Sequence, residues 1–156
     1  MWSSRKLHKY LSLAISIQLL LWTISGIYFS FNKIEDVRGS QYLKEKELVE
    51  TPKIEKIEPE QALKIVAQET FLKPGSVIEI TEDISGSEYR GRSLPLYKVE
   101  SKNQGNEKIN VYVDPFSKKI VAIRSTQWRI WDLMWGIHIM DWNERDNIGN
   151  IFLKIF

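Results

Sequence analysis

The feature that most constrains this chain is a stretch of 23 residues without a charge, residues 10–32. As an α-helix rising 1.5 Å per residue, the stretch would be about 35 Å long, which exceeds the roughly 30 Å hydrocarbon core of a bilayer. Trp22, Tyr28, Phe29 and Phe31 occupy its far end, where an interfacial belt of aromatic residues is expected. The stretch therefore predicts an uncleaved membrane anchor, and a cleaved signal peptide is the alternative.

The charges on either side of this stretch predict its orientation. Arg5, Lys6 and Lys9 precede it, whereas residues 33–38 carry two cations and two anions. Because short positively charged flanks stay on the cytoplasmic side, the N-terminus is expected in the cytoplasm. Everything from Lys33 onward would then be extracytoplasmic.

Composition excludes several classes of function. The chain has no cysteine, so disulfide scaffolds, cysteine-based zinc or iron–sulfur sites and cysteine nucleophiles are ruled out. Residues 33–124 contain 16 Lys+Arg and 16 Asp+Glu, and this balance argues against a nucleic-acid partner. The only two histidines, His8 and His138, are too few for a His-rich metal site. No catalytic residue is predicted, and any chemistry would come from a cofactor or another chain.

The remaining pattern divides the chain into four segments. Residues 1–32 form the cytoplasmic N-terminus and membrane helix, 33–57 a polar linker, 58–125 a small domain, and 126–156 a C-terminal segment. In the small domain a helix opens at residues 58–63, is stopped by residues 73–75, and is followed by four strand-like runs, residues 76–82, 94–101, 109–114 and 119–125. One helix on an antiparallel sheet makes this an α+β fold.

The C-terminal segment carries a stripe of large side chains spaced three, four, three and four residues apart: Trp128, Trp131, Trp135, His138 and Trp142. This spacing predicts an amphipathic helix at the outer membrane interface, and the alternative is a soluble helix packed on the sheet. Residues 148–156 are apolar apart from Gly149, Asn150 and Lys154, and nine residues cannot span a bilayer. Either the chain ends on the membrane surface, or these residues are the beginning of a second membrane span.

The membrane helix itself carries a second stripe, made of small or hydroxylated residues. Small side chains let helices approach closely in lipid, so this stripe predicts a contact with a second membrane helix or partner subunit. Scattered residues tolerated by a single span are the alternative. The stripe comprises Ser12, Ser16, Thr23, Gly26 and Ser30.

Three motifs of the middle segment, residues 58–63, 94–99 and 111–121, resemble the PepSY domain. The family pattern has glycine in its final turn, where this chain has Lys118. The flanking motifs are similar to those of PepSY-associated transmembrane proteins: residues 5–11 and 18–26 resemble their first span, and residues 131–142 and 144–147 the approach to their second.

The resemblance implies a bacterial inner-membrane protein with an extracytoplasmic PepSY domain, part of a haem-linked electron-transfer or ferric-siderophore reductase system. It also implies His8 and His138 as haem-iron ligands. The alternatives are a polar residue at the headgroup level for His8 and a stacking or hydrogen-bonding role for His138. If a haem b binds near His138, Trp131 and Trp135 are its natural walls. Because the predicted topology puts the two histidines on opposite membrane faces, they would not bind the same haem within one protomer.

The partners expected from this interpretation are the lipid bilayer, a second membrane helix, homodimer or membrane subunit, and a flavin reductase module. Two other functions stay open. The chain could be a non-enzymatic regulator or inhibitor of a peptidase, bound at a strand edge, or a structural subunit of an envelope membrane complex.

Overall fold

The computed structural model describes residues 4–44 and 55–155, and their contacts separate into two units. One comprises residues up to 33 together with 131 onward, and the other residues 34–130. The elements run α1 (Ser4–Phe31), α2 (Ile34–Val37), a 3₁₀ turn (Ser40–Tyr42), α3 (Pro59–Glu69), β1 (Lys73–Ile80), β2 (Leu96–Lys102), β3 (Lys108–Asp114), β4 (Lys119–Arg124), α4 (Thr126–His138) and α5 (Ile151–Ile155).

The unit of residues 34–130 is an antiparallel four-stranded sheet in the order β1-β2-β3-β4, with α3 on one face. Alternate strand positions point toward α3, since successive side chains leave opposite faces of a strand. The core between helix and sheet is therefore rich in β-branched residues. Its buried members are Ile57, Ala62, Val66, Leu72, Tyr97, Val99, Ile109, Val111, Val113 and Ile123.

The opposite face of the sheet is covered at one end by the loop of residues 81–95. Tyr89 of this loop packs with Leu96, Tyr112 and Ala122 in a second, smaller core cluster. The phenol of Tyr89 also donates a hydrogen bond to the carbonyl of Glu82, at 3.0 Å, which closes the loop on itself. The rest of this face is open and bears polar side chains.

Local sequence explains the boundaries of α3. Pro59 occupies its first turn, where the missing N–H costs nothing, and the Gln61 side chain accepts a hydrogen bond from the Glu58 N–H at 3.2 Å. At the other end Thr70 is extended, and its hydroxyl donates to the Val66 carbonyl at 2.6 Å. Three residues, 70–72, thus separate the end of α3 from the beginning of β1.

In the other unit, α4 ends in a Schellman motif. Met140 adopts a left-handed conformation (φ 55°), and the Asp141 N–H donates to the Gly136 carbonyl at 3.0 Å. A Cβ on Gly136 would lie 2.9 Å from the Asp141 carbonyl oxygen, so this close return of the chain requires glycine. The following loop is held by Arg145, which pairs with buried Asp132 at 2.5 Å.

The α+β architecture and the Trp-rich helix are confirmed, and several predicted boundaries are corrected. The sequence predicts that residues 73–75 separate helix and strand, yet they begin β1. The pairing of β1 with β2 is irregular between Pro74 and Ser76, and such an irregularity accommodates a proline, which has no N–H to donate. The Trp-rich helix ends at His138, which leaves Trp142 outside it and 61% exposed.

Part of the predicted linker is structured. Residues 34–44 belong to the sheet unit, where Gly39 (φ 88°) lies so close to Ile123 that a Cβ would be 2.7 Å from the Ile123 Cβ. Leu43 forms an isolated bridge with Thr70, and Ile57 is buried in the core. The rest of the linker, residues 45–54, lies outside the described residues.

Candidate functional site

In the unit of residues up to 33 and 131 onward, the most distinctive polar contacts involve His138, the last residue of α4. The indole Nε1 of Trp22 donates to the His138 carbonyl at 2.8 Å, and the His138 Nδ1 lies 2.9 Å from the Ser25 hydroxyl. Trp22 and Ser25 are three residues apart and therefore share a face of α1. These two bonds connect the helix end to one side of the apolar helix.

The Ser25 hydroxyl lies 3.1 Å from the Trp22 carbonyl oxygen and 2.9 Å from His138 Nδ1. When the hydroxyl donates its proton to the carbonyl, its oxygen accepts the proton on Nδ1. In the neutral imidazole, Nε2 then carries the free lone pair. This is the arrangement of a metal-ligating histidine, whose other ring nitrogen is held by a hydrogen-bond partner.

An aromatic cluster surrounds the imidazole. Trp135 lies nearly parallel to His138, with ring centroids 6.3 Å apart at 14°, and Phe29 meets it edge-on at 5.6 Å. Trp131 stacks on Trp135 at 5.6 Å and 11° and contacts Phe29 at 5.2 Å. Three of the four predicted site residues, His138, Trp131 and Trp135, are thus brought together.

The fourth predicted residue, His8, is not part of this cluster. It lies exposed near the beginning of α1, 17 residues before Ser25. At 1.5 Å per residue this separates it from the His138 contact by about 25 Å. The described geometry therefore gives the two histidines separate surroundings, and their binding of separate haems stays a prediction.

The arginines near the Trp-rich helix have protein partners. Arg145 pairs with Asp132, and the Arg129 Nε lies 2.6 Å from a Glu88 carboxylate oxygen in the sheet unit. Trp128 is also in the sheet unit, where the Arg124 guanidinium stacks over its ring at 4.2 Å. Although Trp128 has the same helical spacing as Trp131, its side chain thus packs within the sheet unit.

Sequence reasoning missed the α1 side of the site, Trp22, Ser25 and Phe29. Together with Gln18 they recur at steps of four, three and four, and Gln18 and Ser25 are the buried residues of α1. The Gln18 Nε2 has no hydrogen-bond partner among the described residues. A polar and aromatic stripe in an otherwise aliphatic segment was the signal that could have indicated this face.

The small-residue stripe lies on a different, exposed face of α1. Its hydroxyls bond the preceding turn of their own helix, as in the bonds of Ser16 to Ser12, Thr23 to Leu19 and Ser30 to Gly26, all between 2.8 and 2.9 Å. These polar groups are therefore satisfied without a neighbour. Contact of the stripe with another membrane helix stays a prediction.

A second polar cluster, centred on Glu88, joins the covering loop to the sheet. Its carboxylate accepts hydrogen bonds from Arg129, from Asn110 at 2.7 Å and from the Tyr112 hydroxyl at 3.2 Å. Burial alone would raise the pKa of Glu88, but these bonds outweigh it and hold the pKa below its usual value. Burial and the neighbouring Glu88 raise the pKa of Tyr112.

The buried Arg124 completes this cluster. Its Nε donates to the Glu88 carbonyl at 2.8 Å while its planar group covers Trp128. Burial, together with Arg92, lowers the pKa of Arg124 to about 10, so the side chain remains charged at neutral pH. The role of the cluster is structural, because each buried charged side chain has a hydrogen-bond partner in the protein.

Comparison with known proteins identifies the sheet unit. The family model for PepSY, described as peptidase propeptide and YPEB domain, matches residues 56–124. These residues contain α3 and β1–β4, so the chain contains a PepSY domain, and that part of the predicted resemblance is confirmed. No significant match was found among curated proteins or among solved structures.

The second defined part of the chain is α1. With 28 residues it is long and apolar enough to cross a membrane, and it is the one such helix among the described residues. A signal sequence near the N-terminus can also be long and apolar enough to meet this criterion. The chain thus combines a candidate membrane helix with a PepSY domain, a domain that is commonly extracytoplasmic.

Proposed function

We propose that this protein is a membrane-anchored PepSY subunit of a haem-linked electron-transfer system, of the ferric-siderophore reductase kind. In this proposal α1 is an uncleaved anchor in a bacterial inner membrane, with its basic N-terminus in the cytoplasm and the PepSY domain outside. The candidate span, the PepSY match and the basic residues before the span support it.

The single observation that carries the haem proposal is the hydrogen bond between Ser25 and His138. In the tautomer with a proton on Nδ1, this bond would hold the ring while Nε2 stays available, and a neutral imidazole is a common axial ligand of haem iron. Trp131 and Trp135 provide flat apolar surface beside it, suited to contact a porphyrin. Bound haem would supply one-electron transfer, and the protein residues would hold and orient it.

The second axial ligand would come from a residue other than His8. His8 is about 25 Å away along α1, too far to reach an iron held by His138. A continuation of the chain beyond residue 156, a homodimer or a partner membrane subunit would meet this requirement, and a flavin reductase module is a further candidate partner.

An optical spectrum of the protein, purified in mild detergent from haem-replete cells, tests this function. We expect a sharp α-band after dithionite reduction, lost in His138→Ala and weakened or shifted in Ser25→Ala. Asn143→Ala, an exposed position beyond α4, is the matched control and should keep the band. A wild-type spectrum without haem bands would overturn the haem proposal.

A second candidate is a non-enzymatic regulator of a peptidase. The observation in its favour is that the matching family model includes peptidase propeptides. The outer strands β1 and β4 would offer the edge at which a partner strand pairs. The test is inhibition of a peptidase secreted by the producing cells. Inhibition by the haem-free protein that saturates at one molecule per enzyme would support this function. Haem-dependent redox activity would contradict it.

A further inference from the structure

The open face of the PepSY sheet forms a groove beside the covering loop. Two adjoining cavities, of about 540 and about 640 Å³, share Lys98 and Asn110 in their linings. Together they follow β1 from Ile80 to Lys73, a run of eight residues, or about 26 Å in an extended strand. The groove is long enough for an extended polypeptide of similar length.

Three lysines form a row across one end of this groove. Lys73 of β1 is paired in register with Lys102 of β2, and Lys102 is paired with Lys108 of β3. Side chains directly opposite each other on neighbouring strands have Cβ atoms about 5 Å apart, and like charges at such positions are destabilising. The sheet therefore keeps a repulsive arrangement at this point.

Lys73, Lys102 and Lys108 form no ion pair among the described residues. Glu100, on the same face, pairs with Lys98 at 3.0 Å, and this bond, with a smaller contribution from the charge of Lys108, lowers the Glu100 pKa. Arg129 adds a further cation to the lining and is paired with Glu88. The lining of the larger cavity thus has five cations and one anion, whereas the smaller cavity is lined by three glutamates and Lys98. An anionic group is therefore favoured at the lysine end of the groove.

The shape of the groove favours a polypeptide over a flat lipid surface. Lys98 and Arg129 are partly buried in the concavity, where a planar array of headgroups would not reach them. At the opposite end, the side chains of Ile78 and Ile84 line the smaller cavity and are 49% and 62% exposed. A suitable occupant has acidic residues followed by an apolar one.

We propose that this groove is a docking site for an extended acidic segment of a partner protein, whose carboxylates neutralise the lysine row while an apolar side chain contacts Ile78 and Ile84. The binding site lies entirely within the unit of residues 34–130, on the sheet of the PepSY domain and the beginning of α4. It is therefore independent of whether His138 holds haem.

The test uses the full chain in phosphatidylcholine nanodiscs and a fluorescein-labelled nonapeptide of three Glu-Glu-Leu repeats. We expect saturable binding by fluorescence anisotropy that weakens with added salt, and at least about tenfold weaker binding of the same peptide with Gln in place of Glu. Equal binding of the two peptides, or no binding, overturns the proposal.

Variants locate the site. Lys102→Gln/Lys108→Gln should weaken peptide binding about tenfold and should not lower the melting temperature of the unliganded protein, because the substitutions remove a repulsion. Lys64→Gln/Lys119→Gln removes the same charge outside the groove and should change binding less than about twofold. Equal losses in both variants would overturn the site.

A lipid occupant is distinguished in the same assay. The second ligand is soluble short-chain phosphatidylglycerol. The proposal would be contradicted if this lipid binds through Lys102 and Lys108 and the acidic peptide does not bind. Because neither readout depends on haem, a negative haem spectrum leaves this result unaffected.

Discussion

At the scale of single residues, Lys118 holds a backbone conformation that a side chain disfavours. Its φ is 58°, in the turn between β3 and β4, at the position where the PepSY pattern has glycine. Asp114 stabilises the turn by accepting hydrogen bonds from the Phe116 N–H at 2.9 Å and the Ser117 hydroxyl at 2.7 Å. The turn therefore forms without glycine, at a cost in strain.

Lys118→Gly should raise the free energy of unfolding by about 0.5–1 kcal/mol, because glycine adopts a positive φ without steric penalty. Urea unfolding followed by circular dichroism measures it. Lys118→Ala removes the same charge but keeps the Cβ, so it should give no comparable gain. Equal stabilisation by Ala and Gly would show that charge, and not backbone strain, is responsible.

Glu88 gives the PepSY domain a pH dependence. Its pKa is lowered in the folded protein, so its contribution to stability is present above the ordinary glutamate pKa, about 4.3, and is lost as pH falls through the folded pKa. Glu88→Gln should destabilise the domain at pH 7 by about 1–2 kcal/mol, since Arg129 loses its charged partner.

Urea unfolding at pH 7 and pH 3 measures this effect. The difference between wild type and Glu88→Gln should shrink at the lower pH, whereas Glu82→Gln, on the exposed part of the same loop, should have little effect at either pH. A difference that is the same at both pH values would contradict a role for the Glu88 charge.

At the scale of elements, the end of α4 determines which residues gather around His138. The helix ends because residues 139–141 form the Schellman motif, and the loop beyond it is organised by Asp141. Partial burial alone would raise the pKa of Asp141. Hydrogen bonds from the backbone amides outweigh this effect and lower the pKa; they come from Asn147, Glu144, Asp146 and Asn143. The loop thus packs closely against Gly136.

Gly136→Ala should loosen this loop, because the added Cβ would lie 2.9 Å from a backbone oxygen and 3.0 Å from the Arg145 Cγ. Trypsin should then cleave after Arg145 several-fold faster, as its pairing with Asp132 weakens. Gly149→Ala, where a Cβ meets its nearest neighbour at 3.5 Å, is the control. Unchanged cleavage in Gly136→Ala would contradict this account of the helix end.

At the scale of the whole molecule, the proposed orientation places the two ends of α1 on opposite sides of a membrane. The absence of cysteine allows a direct test, since a single introduced thiol has no background. In intact spheroplasts, Lys64→Cys on α3 should react with a membrane-impermeant maleimide, whereas Lys6→Cys should react only after lysis. The reverse pattern would contradict the orientation, and loss of α1 from the mature chain would show a signal peptide.

Much of the fold could be predicted because its signals are local. The alternation of Ile109, Val111 and Val113 predicts a strand, and Pro59 with the apolar spacing after it predicts α3. The site could be predicted only in part. Trp131, Trp135 and His138 lie close in sequence, whereas Ser25 is 113 residues away from the imidazole that it orients.

The apolar helix, the α+β domain and the aromatic face of α4 could be predicted without the structure, because hydrophobic period and turn chemistry act over a few residues. Lys102 and Lys108 are also paired locally, since a short hairpin loop sets their register. The face of α1 that receives His138 and the pairing of Lys73 with Lys102 became clear from the folded structure alone. Both join segments far apart in the chain, and their packing is not encoded by any short stretch of residues.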